Sequence, residues 1–260
     1  MRIARVAVGD DPRYAVVQGE GNDPEQWQFA MLAGDPLYGG VEPTGQVLPA
    51  DGVRLLAPVI PRSKVVGVGR NYAEHAAELG NEVPERPLVF LKPNTSVIGP
   101  DDPIVLPSYS DDVHFEGELA VVVSRLCKDV PVARALDVVL GYTVANDVTA
   151  RDQGATGPWA LKKGFDSSCP LGPVIATDID PGDLRIRTWV DGELRQDGST
   201  AQMLVGVSEL IAYVSSIFTL LPGDVILTGT PAGVGRIDAG QRVEVEIEGI
   251  GRLGNPVLRR

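Results

Sequence analysis

The segment HFEGELAVVV, residues 114–123, constrains the fold of this chain most tightly. Its last five residues are apolar and rich in valine, which predicts a buried β-strand. Continuing this strand backwards places Glu116 and Glu118 two residues apart, so both carboxylates point to one face. Burial strengthens the repulsion between the two carboxylates and removes their hydration. A divalent cation such as magnesium, manganese or calcium would relieve that repulsion. On these residues alone, an edge strand with a solvated acidic end is the commoner alternative.

Composition narrows the fold class and the possible partners. A length of 260 residues suits one large domain, or one domain with a small appendage, and 30 glycines with 21 prolines predict many turns and a strand-rich architecture. The net charge of −12 argues against binding to nucleic acids or anionic membranes. Cys127 and Cys169 are too few for a disulfide framework, which favours reduced thiols in a cytoplasmic protein. No apolar run is long enough to span a membrane.

The chain divides near two closely spaced prolines. Residues 1–58 predict a small N-terminal β domain with strands at 2–8, 14–18 and 53–57, and Pro58 and Pro61 mark a linker. Residues 59–260 form the larger unit, in which we expect a mixed, mostly β fold with a few short helices. The pair Gly67 and Gly69 lacks the third glycine of a dinucleotide-binding loop, so a Rossmann domain is rejected.

A short helix is predicted at residues 72–79, capped by Asn71. On it, His75 and Glu78 lie three residues apart on one face, where a carboxylate could orient the imidazole as a general base. A fortuitous surface pair is the alternative. The polar, proline-containing loop at 81–87 is a possible lid.

Three more candidates follow predicted strands or lie in a loop. Lys92 ends the strand at 88–92, either solvated or as a ligand for an anionic substrate. Asp147 ends the strand at 141–146, either as a turn former or as a third oxygen ligand. Residues 161–170 show no periodicity and predict a loop, in which Lys162 or Lys163 could face the carboxylates. His114 shares the face of the glutamates but is a weaker ligand candidate.

The remaining patterns predict structural elements. Residues 188–195 predict a hairpin with an Asp-Gly turn, and residues 208–220 an amphipathic helix capped by Ser208. The glycine-rich loop at 228–235 offers N–H groups to an anion but lacks the lysine of a P-loop.

Six motifs in order resemble the fumarylacetoacetate hydrolase family: GRNYxxH, FLKP, ExELA, GYxxxNDxTARD, KGFD and TGTP, between residues 69 and 231. The resemblance implies a β-roll or sandwich catalytic domain, usually dimeric, around an Mg²⁺ or Mn²⁺ site. The N-terminal unit is similar to the appendage of bacterial 2-hydroxyhepta-2,4-diene-1,7-dioate isomerase and decarboxylase-like members. The implied metal ligands are Glu116, Glu118 and Asp147; the implied catalytic residues are His75, Glu78 and Lys163; and the implied substrate contacts are Arg70, Gln153 and Thr230. Lys92, from its position at a strand end, is the fourth candidate substrate contact.

The resemblance implies an enzyme for a small dicarboxylate or 2-oxo acid. We expect isomerisation or decarboxylation of a 2-oxo, 2-hydroxy-diene or β-diketo acid through a metal-stabilised enolate, as in aromatic catabolism. Hydrolysis of a C–C bond in an acylpyruvate or fumarylpyruvate, or decarboxylation of oxaloacetate, is the alternative within the family. Outside it, the residues leave open a Schiff-base lyase that uses Lys163 and a non-catalytic β module that binds metal or acids.

Overall fold

Strands dominate the computed structural model, which describes residues 1–19, 21–154 and 157–259. They are short because glycine and proline interrupt the apolar runs, and they confirm the mostly β fold expected from the sequence. The strands are β1 (Arg2–Val8), β2 (Asp11–Gln18), β3 (Gln28–Leu32), β4 (Pro43–Pro49), β5 (Arg54–Leu56), β6 (Val65–Gly69), β7 (Leu88–Lys92), β8 (Val97–Ile98), β9 (Ile104–Leu106), β10 (Val113–Phe115), β11 (Gly117–Val123), β12 (Val139–Asn146), β13 (Thr149–Ala150), β14 (Cys169–Ala176), β15 (Arg185–Val190), β16 (Glu193–Ser199), β17 (Val225–Leu227), β18 (Gly235–Arg236), β19 (Arg242–Ile247) and β20 (Gly251–Arg259).

Helices are few and short in the described part of the chain, and none is long and apolar enough to cross a membrane. The α-helices are α1 (Pro36–Gly39), α2 (Ala73–Glu78), α3 (Trp159–Lys163) and α4 (Val207–Ile217). Short 3₁₀ helices cover Pro24–Gln26, Ala50–Gly52, Asn94–Ser96, Val132–Val138, Arg151–Gln153 and Thr200–Gln202.

The main sheet runs in the order β4-β3-β2-β1-β14-β12-β11-β17-β6-β7. Its central strands β11, β12 and β14 are apolar and buried, because both faces of the sheet are covered. Along β11, Leu119 and Val121 enter one core, which also contains Leu210 and Val214 of α4, while Ala120 and Val122 enter a second core. Strand β11 therefore forms the rigid centre of the molecule.

A second sheet, in the order β16-β15-β19-β20-β9, packs against the first core. Its β15–β16 hairpin turns at Asp191 and Gly192, both with positive φ, as the Asp-Gly pair predicts. In β19, Val243, Val245 and Ile247 are buried, while Glu246 on the opposite face pairs with Arg252. A third, small sheet has the order β13-β10-β18.

The N-terminal residues add strands to the main sheet. Strand β1 pairs with β14, with Arg2 opposite Ala176, so the sheet continues from one unit into the other. The strand predicted at 2–8 is present with those bounds, and the strands predicted at 14–18 and 53–57 are present with shifted ends, but the sequence missed β3 and β4. Strand β4 is exposed along most of its length and contains glycine and proline, so no apolar period marks it. The division into two domains stays a prediction.

Several local predictions were wrong. Asn71 does not cap α2, because the residue at the cap position is Tyr72, whose backbone is extended. The side-chain amide of Asn71 instead donates to the carbonyls of Val205 and Thr228. Residues 161–170 are not only a loop, since α3 includes residues 161–163 and β14 begins at Cys169. Helix α4 begins after Gly206 and ends at Ile217, so Ser208 is not its cap.

Candidate active site

Three buried carboxylates meet at one end of the main sheet. Glu116, Glu118 and Asp147 are each at most 4% exposed, and each offers an oxygen within 4.8 Å of the other two. Antiparallel pairing explains the meeting, because Gly117 at the start of β11 lies opposite Asn146 at the end of β12. The structure thus brings together the three oxygen ligands that the sequence predicts.

The predicted strand is interrupted at Glu116, so that β10 and β11 are two separate strands instead of one continuous strand. The N–H of Glu116 donates to Asn146 Oδ1 at 2.9 Å, and its carbonyl accepts from the N–H of Asp147 at 2.8 Å. These bonds join the first glutamate directly to the loop that holds the aspartate. Glu118 lies inside β11, where its carboxylate accepts from the N–H of Gly229 at 2.7 Å.

Three cations surround two of the carboxylates. Lys163 Nζ lies 2.7 Å from Glu116 Oε2 and 2.6 Å from Asp147 Oδ2. Lys92 Nζ lies 2.6 Å from Asp147 Oδ1, and Arg151 pairs with Glu116. Glu118 has no such ion pair among the described residues, so its negative charge is the least compensated of the three.

The pKa shifts follow this unequal distribution of charge. Burial opposes ionisation of Glu116, but Lys163 and Arg151 outweigh it and hold the pKa of this carboxyl well below its usual range. Burial, with the nearby charges of Asp147 and Glu116, raises the pKa of Glu118 well above its usual range. Burial alone would lower the pKa of the Lys163 ammonium, yet the carboxylates of Asp147 and Glu116 raise it.

The donor set fits a hard divalent cation. It consists of carboxylate oxygens from three residues, and Mg²⁺ and Mn²⁺ prefer oxygen ligands. Glu118 is buried beside the other two carboxylates and forms no ion pair among the described residues, so a cation would supply positive charge at that carboxylate. His114 lies outside this set; its Nε2 contacts Asp112 Oδ1 at 2.9 Å.

A pocket of about 260 Å³ opens beside the cluster, with Glu116 and Glu118 in its lining. Its walls carry four cationic side chains in a protein of net charge −12, which favours an anionic ligand. On one side Phe90 stacks on Trp159, with ring centroids 5.0 Å apart. The cationic residues of the wall are Arg70, Arg151, Lys162 and Lys163.

His75 lines the pocket, and its predicted partner Glu78 lies at ion-pair distance. Its Nδ1 lies 3.5 Å from a Glu78 oxygen, longer than a hydrogen bond, and has no partner among the described residues. The Glu78 carboxylate instead accepts from the N–H of Gly233 at 3.1 Å. Burial lowers the pKa of His75, so its imidazole is neutral at neutral pH.

Of the four predicted substrate contacts, two line the pocket and two do not. Arg70 enters it from a residue with φ of 57°, and Thr230 enters from the loop after β17. Lys92 lies outside the pocket lining, 1% exposed and paired with Asp147. Gln153 also lies outside it; its side chain donates to the carbonyl of Tyr109 at 3.0 Å. The roles of all four stay predictions.

Sequence reasoning missed Arg151 and Trp159 as pocket residues. Arg151 belongs to a motif that the sequence displays, and its position four residues after Asp147 was the available signal. Trp159 had no signal, because its importance comes from stacking on Phe90, a residue of a distant strand.

The fumarylacetoacetate hydrolase C-terminal model matches residues 64–258, and an Rv2993c-like N-terminal model matches residues 1–58. The chain belongs to the fumarylacetoacetate hydrolase family. Protein Rv2993c of Mycobacterium tuberculosis is 50% identical over 264 residues, covering 100% of this chain and 99% of the relative. Mitochondrial oxaloacetate decarboxylase of Dictyostelium discoideum is 45% identical over 195 residues, covering 72% of this chain and 89% of the relative.

Solved structures of the family share the fold. A 2-hydroxyhepta-2,4-diene-1,7-dioate isomerase from Mycobacterium marinum has a TM-score of 0.92 at 48% identity, covering 100% of this chain and 99% of that one. Fumarylpyruvate hydrolase from Pseudomonas aeruginosa, solved with Mn²⁺ and pyruvate, has a TM-score of 0.73 at 35% identity, covering 80% of this chain and 92% of that one. These findings confirm the family and the fold class, and the relatives' enzyme names include an isomerase, a decarboxylase and a hydrolase.

Proposed function

We propose that this family member is a divalent-metal-dependent enzyme that isomerises or decarboxylates a small 2-oxo dicarboxylic acid, or its 2-hydroxy-diene form, through an enolate. One observation carries the proposal: a cluster of three buried carboxylates borders a pocket with cationic walls, and two of the three, Glu116 and Glu118, line that pocket. The carboxylates suit a cation, and the cationic walls suit a substrate with two carboxylate groups.

The residues of the chain divide the chemical work. Glu116, Glu118 and Asp147 would hold Mg²⁺ or Mn²⁺, which when bound supplies a Lewis acid that polarises the keto oxygen of the substrate. Arg70 and Lys162, in the pocket wall, bind the carboxylate groups of the substrate and orient it. Lys163 keeps its proton and stabilises negative charge as it develops on the enolate.

Proton transfer falls to His75. Its imidazole is neutral, lies in the pocket and carries a buried Nδ1 without a partner among the described residues. A neutral imidazole accepts a proton from the substrate carbon and returns it to another carbon, which is the requirement of an isomerase. After decarboxylation, the carbon that lost the carboxylate needs a proton from solvent, which His75 can relay because its neutral imidazole takes up a proton at one nitrogen as it gives one up from the other.

Two alternatives receive less support from the geometry. Hydrolysis of a C–C bond needs an activated water, and the 3.5 Å separation leaves the His75–Glu78 dyad open. A Schiff-base mechanism needs a neutral amine, whereas the carboxylates around Lys163 raise its pKa and keep it charged. The names of the M. marinum isomerase and the D. discoideum decarboxylase support enolate chemistry over the Schiff-base mechanism, whereas the name of the P. aeruginosa hydrolase keeps C–C hydrolysis as the second candidate.

An ultraviolet assay of the chelator-stripped protein tests the proposal. The panel holds oxaloacetate, 2-hydroxyhepta-2,4-diene-1,7-dioate and fumarylpyruvate, each with and without Mg²⁺ or Mn²⁺. We expect metal-dependent turnover of one of the first two, and Glu116→Ala should abolish both metal binding and turnover. Turnover that ignores the chelator, with an adduct trapped by borohydride, would replace the proposal with the Schiff-base lyase. Stabilisation by metal without turnover would favour a binding module.

The homodimer implied by the family is also kept as a proposal. Sedimentation equilibrium at micromolar concentration measures it directly. A mass of twice 27.6 kDa is expected, and a monomer would contradict it.

A further inference from the structure

A buried amide from the second sheet contacts the backbone between the two glutamates. Gln196, in β16, has no exposed surface. Its Oε1 accepts from the N–H of Gly117 at 3.0 Å, and its Nε2 donates to Thr230 Oγ1 at 2.7 Å and to the carbonyl of Pro231 at 2.8 Å. All three hydrogen bonds of this side-chain amide therefore go to Gly117 or to the loop of Thr230 and Pro231.

Three of these groups close a ring of hydrogen bonds. Thr230 Oγ1 donates to the carbonyl of Gly117 at 2.8 Å, so both polar groups of Gly117 are held by the Gln196–Thr230 pair. A closed ring fixes the amide orientation, because Oε1 must face the N–H of Gly117 and Nε2 must face the hydroxyl. Gly117 is the residue that separates Glu116 from Glu118.

Packing leaves Gly117 no freedom to shift toward the second sheet. A Cβ atom on this residue would lie 2.4 Å from Thr188 Oγ1 and 2.9 Å from Val245 Cγ1. The glycine thus lies directly against the second sheet, and the hydrogen-bonded ring sets its direction. Because both neighbours of Gly117 are carboxylates of the cluster, rotation of its peptide groups would move their side chains.

We propose that Gln196 is a positioning residue that fixes the spacing of Glu116 and Glu118 for a divalent cation. It does so by joining the backbone of Gly117 to the loop of Thr230, which lines the pocket. This inference rests on the metal site of the proposed function. A neutral amide suits the role because it supplies both a donor and an acceptor, and a charged side chain would disturb the balance of the buried carboxylates.

The test compares Gln196→Met with a matched variant of another buried amide. Methionine keeps the volume and removes all three hydrogen bonds. Asn255→Leu is the control, since Asn255 is 1% exposed and donates to two backbone carbonyls, those of Gly99 and Asp102, outside the pocket lining. Each chelator-stripped full-length protein is titrated with Mn²⁺, free Mn²⁺ is read by electron paramagnetic resonance, and thermal unfolding without metal reports the structural cost.

Loss of residues that orient metal ligands weakens metal affinity by about 10–100-fold, and we expect a change of that size for Gln196→Met. Asn255→Leu should lower the melting temperature and leave Mn²⁺ affinity unchanged. Equal Mn²⁺ affinity in wild type and Gln196→Met would overturn the inference, whereas a wild type that binds no Mn²⁺ would overturn the proposed function instead.

A second variant keeps the test decisive if Gln196→Met does not fold. Thr230→Val removes only the hydroxyl that closes the ring and keeps the shape of the side chain. It should also weaken Mn²⁺ binding, by a smaller factor. Where both variants fold, the double variant should lose less Mn²⁺ affinity than the sum of the two separate losses, because both substitutions break the same hydrogen-bond network. Thr230→Val with wild-type affinity would refute the positioning role.

Discussion

Replacing Lys92 with methionine should destabilise the fold and leave substrate affinity unchanged. Its side chain has no exposed surface, and its Nζ lies 2.6 Å from Asp147 Oδ1, which has no other partner among the described residues. Removing one partner of a buried ion pair costs about 3–5 kcal/mol. Because Lys163 still holds the other oxygen of Asp147, we expect the lower end of that range.

The predicted loss can be read as a melting temperature. At about 2–4 °C per kcal/mol for a protein of this size, a loss of about 3 kcal/mol corresponds to about 6–12 °C. The assay is thermal unfolding of the metal-free protein by circular dichroism, followed by KM measurements on the most active substrate.

Lys64→Met is the matched control for this prediction. Its Nζ also lies 2.6 Å from a buried carboxylate, that of Asp224, but this carboxylate keeps three further donors: Ser63 Oγ and the N–H groups of Lys64 and Leu221. The control should therefore lose less stability than Lys92→Met. A Lys92→Met protein with the wild-type melting temperature and a raised KM would refute the reasoning and restore the predicted substrate contact.

Three further predictions concern other parts of the site. Gly117→Ala should abolish Mn²⁺ binding and cost about 1–3 kcal/mol, because its Cβ would overlap Thr188, and a calorimetric titration that still shows Mn²⁺ binding would contradict this. Arg70→Met should raise KM at least tenfold without changing Mn²⁺ affinity, measured by steady-state kinetics and the same titration; an unchanged KM would remove Arg70 from substrate binding. His75 should titrate below pH 6.5 in proton NMR of the metal-free protein, and the His75→Gln variant identifies its signal among the two histidines. Because the imidazole binds a proton more readily in the unfolded chain, the free energy of unfolding should fall as pH drops below about 6.5, and it should fall less in the variant.

The sequence predicted the acidic cluster because its determinants are local. A period of two predicted that Glu116 and Glu118 share one face, although the strand is in fact interrupted at Glu116, and Asp147 directly follows the apolar run of β12. Antiparallel pairing of β11 with β12 then brought the three carboxylates together, a step that the family resemblance supplied and the residues alone left open.

Residues that act across sheets could not be predicted in the same way. Gln196 is 79 residues from Gly117 along the chain, and nothing near it in sequence distinguishes it from a solvated glutamine in a hairpin. Lys92 shows the converse: a lysine at a strand end is usually solvated, but this one is buried and pairs with Asp147, 55 residues away along the chain. The separation of His75 and Glu78 also depends on a distant group, the N–H of Gly233 that holds the carboxylate.

The most direct test of the account is an anomalous diffraction map from crystals of the protein soaked in Mn²⁺. We expect a peak among the carboxylates of Glu116, Glu118 and Asp147, and its loss in crystals of Glu116→Ala. A map with no peak there, from crystals of a protein that still turns over an oxo acid, would contradict the claim that this cluster is the metal centre of the enzyme.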